Sequence, residues 1–314
     1  MAFERSGTLD LSDPTAMAFT LKDKGAALDQ AGDSEAGTSA VGLGESVAQR
    51  LGIDQELVTT GPGVASLFEI LCRETLGPGD RVAIAEPTLP WVKQAILDCG
   101  AAYVDVGRTW DLHPQQEALE RILDGGDVPM VFLPGTCPLS GVECPGLPSK
   151  TPGTLWVWDH TFSHPGRWAA GSGELSLVDL GLQAGLASPV AVAIGSMRLE
   201  AKAIQAEARA AAAAHMVHLE AFVERLEMWQ TLRGDFLGGL GDLRGLKVSG
   251  RAGPGLMLRH PDLSASQLSQ KLNSAKLLAG GTDSHIYHDH VVLRVPHPTE
   301  RDEALEALRA VWGT

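Results

Sequence analysis

The segment Leu155-Trp156-Val157-Trp158-Asp159-His160 places four consecutive apolar residues directly before a carboxylate and an imidazole. A Pro-Gly pair follows at 165–166, and a short apolar run bounded by such breakers is typical of a strand buried on both faces. Ligands of open α/β sheets bind at the carboxyl ends of the strands, so Asp159 falls where a site is expected. The alternative interpretation is that Asp159 caps a turn, because aspartate favours turns.

Strand-like and helix-like stretches alternate on both sides of this segment. The predicted strands cover residues 56–59, 81–85, 101–106, 128–133 and 190–195. The predicted helices cover residues 44–52, 64–75, 91–99, 115–123 and 176–182. Strands that alternate with helices of this length indicate βαβ units and a mainly parallel sheet.

The composition changes near residue 197, where a long alanine-rich stretch begins. Residues 200–229 are predicted to form one helix whose apolar stripe packs in a core, at Met216, Leu219, Val223 and Leu226. Predicted strands at 246–248, 255–258 and 291–295 follow it, with helices at 265–273 and 300–312. Residues 1–45 lack periodicity, apart from a short helix predicted near 16–27. We therefore predict an N-terminal arm (1–40), a large α/β domain (41–215) and a small C-terminal α+β domain (216–314).

The overall charge and composition restrict the partners and the compartment. The 314-residue chain has a formal net charge of −14, which argues against nucleic acid or an anionic membrane as a partner. No window approaches the roughly 18 apolar residues of a membrane span, and no signal peptide is evident. The four cysteines form no CxxC pair and are expected to be reduced thiols. We expect a cytoplasmic protein.

The segment Thr60-Gly61-Pro62-Gly63 lies between a predicted strand and a predicted amphipathic helix. Free backbone N–H groups point outward at the start of a helix, so this turn is suited to binding an anion.

Six segments, taken in order, resemble the fold-type I pyridoxal-phosphate enzymes, most closely histidinol-phosphate aminotransferase and threonine-phosphate decarboxylase. They are Leu9-Asp10-Leu11-Ser12-Asp13-Pro14, Thr60-Gly61-Pro62-Gly63-Val64-Ala65-Ser66, Pro78-Gly79-Asp80-Arg81-Val82 with Glu86-Pro87-Thr88, Pro134-Gly135-Thr136-Cys137-Pro138-Leu139-Ser140-Gly141, Trp158-Asp159-His160-Thr161-Phe162, and Val292-Leu293-Arg294-Val295. The resemblance implies an aminotransferase-like fold: a three-layer α/β/α large domain with a mainly parallel sheet, and a smaller C-terminal α+β domain. It also implies a homodimer.

The resemblance implies pyridoxal phosphate as the cofactor and gives roles to several residues. Asp159 corresponds to the acid that faces the pyridine nitrogen, and Arg294 to the arginine that grips the substrate carboxylate. The backbone of Gly63, Val64 and Ala65 corresponds to the turn that binds the phosphate of the cofactor. The alternative for Arg294 is a rim residue in an ion pair.

Two further positions depart from the family pattern. Cys137 stands where the family has the asparagine that hydrogen-bonds the phenolic oxygen of the cofactor. Leu89 stands where an aromatic side chain covers the ring, and Trp91 is the residue that could replace that aromatic.

The most important departure from the family pattern is the absence of the lysine that forms the internal aldimine. This linkage prepares the cofactor for exchange with a substrate amine. In one register of the family signature the lysine position holds Leu182, and in the other it holds Met197. The nearest lysine is Lys202, which falls within the predicted long helix.

These departures leave several hypotheses open. The first is a diverged aminotransferase-like protein with a degenerate active site, which has lost the aldimine and ordinary transamination and binds an anionic, amino-acid-like small molecule. The second is an active aminotransferase or decarboxylase that uses Lys202. The third is a metal-dependent enzyme using His285-Ile286-Tyr287-His288-Asp289-His290, although alternation along a strand prevents all of these side chains from converging, so we assign no metal ligand. The fourth is a purely structural role.

Overall fold

The computed structural model describes residues 8–13, 42–109, 112–144, 152–168, 174–181, 190–197, 199, 219–241, 243, 245–248, 250, 252–281 and 287–313. The strands in the first two thirds of the chain are β1 (Leu9–Asp10), β2 (Val58–Gly61), β3 (Arg81–Ile84), β4 (Ala102–Asp105), β5 (Met130–Pro134), β6 (Leu155–Asp159), β7 (Glu174–Asp179) and β8 (Ala191–Gly195). The helices of that part are α1 (Leu43–Leu51), α2 (Val64–Thr75), α3 (Pro90–Asp98) and α4 (Gln116–Asp124), with 3₁₀ turns at Gln55–Leu57 and Pro165–Arg167.

Strands β2 to β8 form one seven-stranded sheet in the order β2-β8-β7-β6-β5-β3-β4. Strand β8 is antiparallel to both of its neighbours, and the other strands all run in one direction. The mainly parallel sheet that the alternation of strands and helices predicts is confirmed.

Helices cover both faces of this sheet, which is why its strands are apolar on both sides. On one face, Phe68 of α2 packs with Phe132 of β5 and Val157 of β6. On the other face, Leu119 of α4 packs with Trp156 of β6. The three-layer α/β/α architecture of the large domain is therefore as predicted.

The rest of the chain forms a second, smaller sheet with its own core. Its elements are α5 (Leu219–Gly239), β9 (Lys247–Val248), β10 (Gly255–Arg259), α6 (Ala265–Ser274), β11 (Leu277–Leu278), β12 (Gly280–Gly281), β13 (Val291–Arg294) and α7 (Arg301–Trp312). Four antiparallel strands lie in the order β12-β13-β10-β9. Phe236, Leu256, Leu293 and Leu308 share the core beneath them. The N-terminal strand β1 pairs in parallel with β11, so residues 8–13 belong structurally to this smaller unit.

Two predicted elements differ from the structure. Residues 176–182 are predicted to be helical, but Glu174–Asp179 form strand β7, with Leu175 and Leu177 on one face and Val178 on the other. The prediction is wrong for residues 176–179, because the adjacent apolar residues Leu177 and Val178 lie on opposite buried faces and break the alternation of period two. Helix α5 also continues ten residues beyond the predicted end at 229, to Gly239.

The predicted boundary between residues 215 and 216, the helix near 16–27 and Met216 of the predicted stripe all lie outside the described residues. Within the described part of α5, the buried side chains are Trp229, Arg233 and Phe236, at spacings of four and three. No helix among the described residues is long and apolar enough to span a bilayer.

Candidate functional site

The carboxyl ends of six strands meet at one edge of the large sheet. Because β8 runs against the others, its own end, Gly195, lies at the opposite edge, paired with Leu175 near the start of β7. Asp159 ends β6 and is paired with Pro134 of β5 and Leu177 of β7, in the middle of the sheet. This placement is where open α/β sheets bind their ligands.

Asp159 is a buried carboxylate, and few described groups compensate its negative charge. Its residue is 7% exposed, and its Oδ1 accepts a hydrogen bond of 3.0 Å from the backbone N–H of Thr161. Burial raises the pKa of Asp159, and hydrogen bonds from Thr161 offset part of that effect. No salt bridge joins Asp159 to a cation among the described residues. The side chain therefore does cap a turn, and it also suits a cationic ligand group.

His160 lies behind Asp159 on the opposite face of β6. Its ring stacks on Trp158 with 5.8 Å between ring centroids and 3° between planes, and its Nδ1 lies 3.1 Å from Ser163 Oγ. Burial lowers the pKa of His160 to about 3, with a further contribution from Arg167. His160 is consequently a neutral, fixed support rather than an acid or base at neutral pH.

The start of α2 presents uncapped backbone N–H groups at the same edge as Asp159. Gly63 has φ 103° and is the N-cap, and among the described residues no side-chain cap hydrogen bond is made at the helix start. This backbone conformation favours glycine, since other residues adopt it at a cost. Val64 and Ala65 open the first turn, which contains no acidic residue. The geometry suits a phosphate or carboxylate.

Trp91 lies over the face of the sheet to which Asp159 belongs. Its ring meets Phe132 at 6.0 Å and Phe68 at 5.8 Å between centroids, both edge to face. Because Phe132 is paired with Val157, two residues before Asp159, these side chains share one face. Leu89 packs against the same core cluster and against the one that holds Cys137.

Cys137 is 1% exposed and lies in a mainly apolar cluster. Its Sγ lies 3.7 Å from the carbonyl oxygen of Pro87, and Leu139, Met257 and Tyr287 belong to the same cluster. Cys137 therefore lies in a cluster that also includes Met257 of the smaller sheet, and its correspondence to the asparagine of the resembled family stays a prediction.

Arg294 ends β13 in a buried ion pair. Its Nη1 lies 3.1 Å from Glu300 Oε2 and its Nη2 lies 3.3 Å from Glu300 Oε1. Nη2 also donates to the carbonyl oxygen of Asp10, and the backbone N–H of Arg294 donates to the carbonyl oxygen of Leu11. In this conformation Arg294 secures the N-terminal segment, and its role in gripping a substrate stays a prediction.

The lysine position is best located from the path of the chain around Asp159. Strand β7 ends at the Asp159 edge, and the N–H of Gly181 bonds to the carbonyl of Val190, 2.8 Å away, where the chain returns into β8. Met197 follows β8 and lies beyond the opposite edge, packed against the core of the large domain. Leu182 and Lys202 lie outside the described residues.

No lysine occurs anywhere from residue 151 to residue 201. Any residue that reaches the Asp159 edge from the β7–β8 connection is therefore not a lysine, whichever register of the family signature is used. The buried Lys93 lies on α3, where its Nζ is 2.8 Å from Glu86 Oε1.

Asp289 of the histidine-rich segment forms an ion pair with Arg259 and a hydrogen bond with His290. Asp289 lies 2.8 Å from Arg259 Nε and 2.7 Å from His290 Nδ1, while His285 lies outside the described residues. Among the residues that the structure describes, no three metal-ligating side chains are grouped.

Two buried arginines were not singled out from the sequence. Arg108 donates to the carbonyl oxygens of Ala85, Glu86 and Leu112 at the carboxyl end of β3. Arg233 lies on α5 among the apolar positions, four residues after Trp229 and three before Phe236. This spacing is the signal of its burial in the sequence, because the groups it binds among the described residues include four backbone carbonyls, which have no side-chain signature.

The described chain superimposes on solved aminotransferases over nearly its whole length. An aminotransferase from Staphylococcus aureus has a TM-score of 0.79 at 13% identity, covering 100% of this chain and 97% of its own. The histidinol-phosphate aminotransferase from Clostridium acetobutylicum has a TM-score of 0.76 at 16% identity, covering 97% and 99%.

A third structure, histidinol-phosphate aminotransferase from Sinorhizobium meliloti in complex with pyridoxal-5'-phosphate, has a TM-score of 0.74 at 15% identity, covering 98% and 91%. No protein-family model matches the sequence, and no curated protein sequence matches it. The chain therefore has the aminotransferase fold of pyridoxal-phosphate enzymes, and at these identities the likeness concerns the fold.

Proposed function

We propose that this protein binds an anionic, amino-acid-like small molecule at the Asp159 edge of its aminotransferase fold and forms no covalent lysine link to a cofactor. The observation that supports this most is that residues 151–201, which include the whole β7–β8 connection, contain no lysine, while the described ends of that connection, Gly181 and Val190, lie at the Asp159 edge. Among the described residues, the fold keeps the buried carboxylate and the start of α2 without a side-chain cap.

The residues present suit non-covalent binding of pyridoxal phosphate. Asp159 is a buried carboxylate that lacks a cationic partner among the described residues, so it would hold a protonated pyridine nitrogen. The backbone of Gly63, Val64 and Ala65 would hold the phosphate. When bound, such a cofactor supplies an electron sink, and the chain's own contribution is to bind and orient it.

We further propose that the protein acts as a homodimer in the cytoplasm. The dimer rests on the family resemblance, and light scattering tests it through the mass in solution. The compartment rests on the cysteines, which are all free, as expected where thiols are kept reduced.

Titration with pyridoxal phosphate, followed by fluorescence quenching, tests the role of Asp159. We expect Asp159→Asn to weaken the binding of pyridoxal phosphate by about tenfold to a hundredfold. This is the change in affinity expected from the loss of one charge-assisted hydrogen bond. The control is Asp124→Asn, at the exposed end of α4, which should bind as the wild type does. Equal binding by Asp159→Asn and wild type would contradict the proposed site.

A further inference from the structure

Arg233 of α5 joins the loop that carries Cys137 to the smaller domain. Its Nη2 lies 3.1 Å from the carbonyl oxygen of Ser140 in that loop. Its Nη1 faces the carbonyl oxygens of Ala252, Gly253 and Gly255, at 3.2, 3.3 and 2.6 Å. The residue is 1% exposed. One buried guanidinium thus bonds to backbone from both domains.

The backbones on either side of Arg233 also touch directly. The N–H of Ala252 donates to the carbonyl of Gly141, 2.9 Å away. A Cβ at Gly141 would overlap the carbonyl oxygen of Ala252, and one at Gly250 would overlap the backbone of Gly141. A Cβ at Gly255 would overlap the carbonyl oxygen of Pro138. The three glycines allow an approach that any side chain would prevent.

We propose that Arg233 is a positioning residue that holds the loop of residues 136–141, and with it Cys137, against the smaller domain, so that this side of the candidate site at the Asp159 edge is preformed. The inference stands apart from the proposed ligand, because it concerns how the loop is held.

The pKa of Arg233 is consistent with this role. Burial lowers it to about 10, so the guanidinium stays charged at neutral pH and its hydrogen bonds to the carbonyls are charge-assisted. Lysine retains the charge without the planar fork, and it is expected to restore the contacts only in part.

Hydrogen–deuterium exchange of the full-length protein without ligand tests the proposal directly. In Arg233→Met we expect exchange in residues 134–144 to rise by at least about tenfold relative to exchange in β6 and α2, because each charge-assisted hydrogen bond is worth about a decade in equilibrium constant. Arg233→Lys should give an intermediate rise. Gly250→Ala should give the same local pattern by a different route, since it pushes the two backbones apart while leaving Arg233 in place.

Two control variants separate positioning from general instability. Leu268→Ala removes a fully buried side chain of the smaller core and should raise exchange throughout that core without singling out residues 134–144. Arg309→Met removes an exposed arginine that donates to the carbonyl of Gly239 and should leave the loop unchanged. If Arg233→Met fails to fold, Arg233→Lys and Gly250→Ala carry the test.

The proposal is overturned if exchange in residues 134–144 is unchanged in these variants, or if it rises only as much as in Leu268→Ala. Pyridoxal-phosphate binding, measured in parallel, distinguishes this failure from that of the proposed function. If the loop loosens and no variant and no wild-type protein binds pyridoxal phosphate, the positioning role holds and the proposed non-covalent binding of pyridoxal phosphate is wrong.

Discussion

Lowering the pH from 7 to 5 should destabilise this protein through His160. His160 is 5% exposed; its imidazole stacks on Trp158 and is hydrogen-bonded to Ser163 Oγ. Burial lowers its pKa to about 3, and the positive charge of Arg167 contributes in the same direction. The native protein therefore keeps His160 neutral at pH values where an unfolded histidine takes up a proton.

The sign and the size of the effect follow from this difference in proton binding. Between pH 6.5 and about 3 the unfolded state binds one more proton at this site than the native state, so stability falls as the pH falls. With an unfolded pKa near 6.5, the free energy of unfolding should drop by about 2 kcal/mol between pH 7 and pH 5. Asp159 acts in the opposite direction, because its raised pKa favours the native state as the pH falls.

Urea denaturation at pH 7, 6 and 5 measures this effect, and His160→Gln isolates it. Glutamine cannot take up the proton, so the variant should lose about 2 kcal/mol less than the wild type over this range, whatever Asp159 contributes to both. The control, His164→Gln, replaces an exposed histidine and should keep the wild-type dependence on pH. Parallel stability curves for wild type and His160→Gln would refute the argument.

Two other substitutions test the buried contacts around the site. Glu300→Gln should lower the free energy of unfolding by about 3 kcal/mol, since it leaves the buried Arg294 guanidinium without the charge of Glu300. Urea denaturation at pH 7 measures this change, and a loss of stability below the error of the method would contradict the ion pair. Gly135→Ala should lower the free energy of unfolding by about 1–3 kcal/mol, because the added Cβ would overlap His160 Nδ1 and Ser163 Oγ. An unchanged midpoint of thermal unfolding would contradict that packing.

The sequence predicts the large domain well because its strands and helices carry local signals. The apolar run before Asp159 and the breakers after it are enough to predict β6 and its carboxyl end at Asp159. Strand β7 is mistaken for a helix because its alternation covers only residues 174–177, after which the adjacent apolar residues Leu177 and Val178 face opposite buried sides. The alternation that identifies a half-buried strand is therefore too short to decide the element.

The contacts of the charged residues around the site are beyond sequence reasoning, because they join distant segments. Arg294 bonds to Asp10, 284 residues away, as well as to the nearby Glu300. Arg233 bonds to Ser140, 93 residues away, through a backbone carbonyl that has no side-chain signature. In both cases the sequence identifies the residue type, and the fold determines what it meets.

The fate of pyridoxal phosphate on the intact protein tests the central proposal most directly. The purified protein is incubated with the cofactor, treated with borohydride, digested and analysed by mass spectrometry, with and without dialysis before reduction. We predict that the cofactor leaves on dialysis and that no lysine carries a saturable phosphopyridoxyl group. One such group per chain on Lys202, retained after dialysis, would contradict the account.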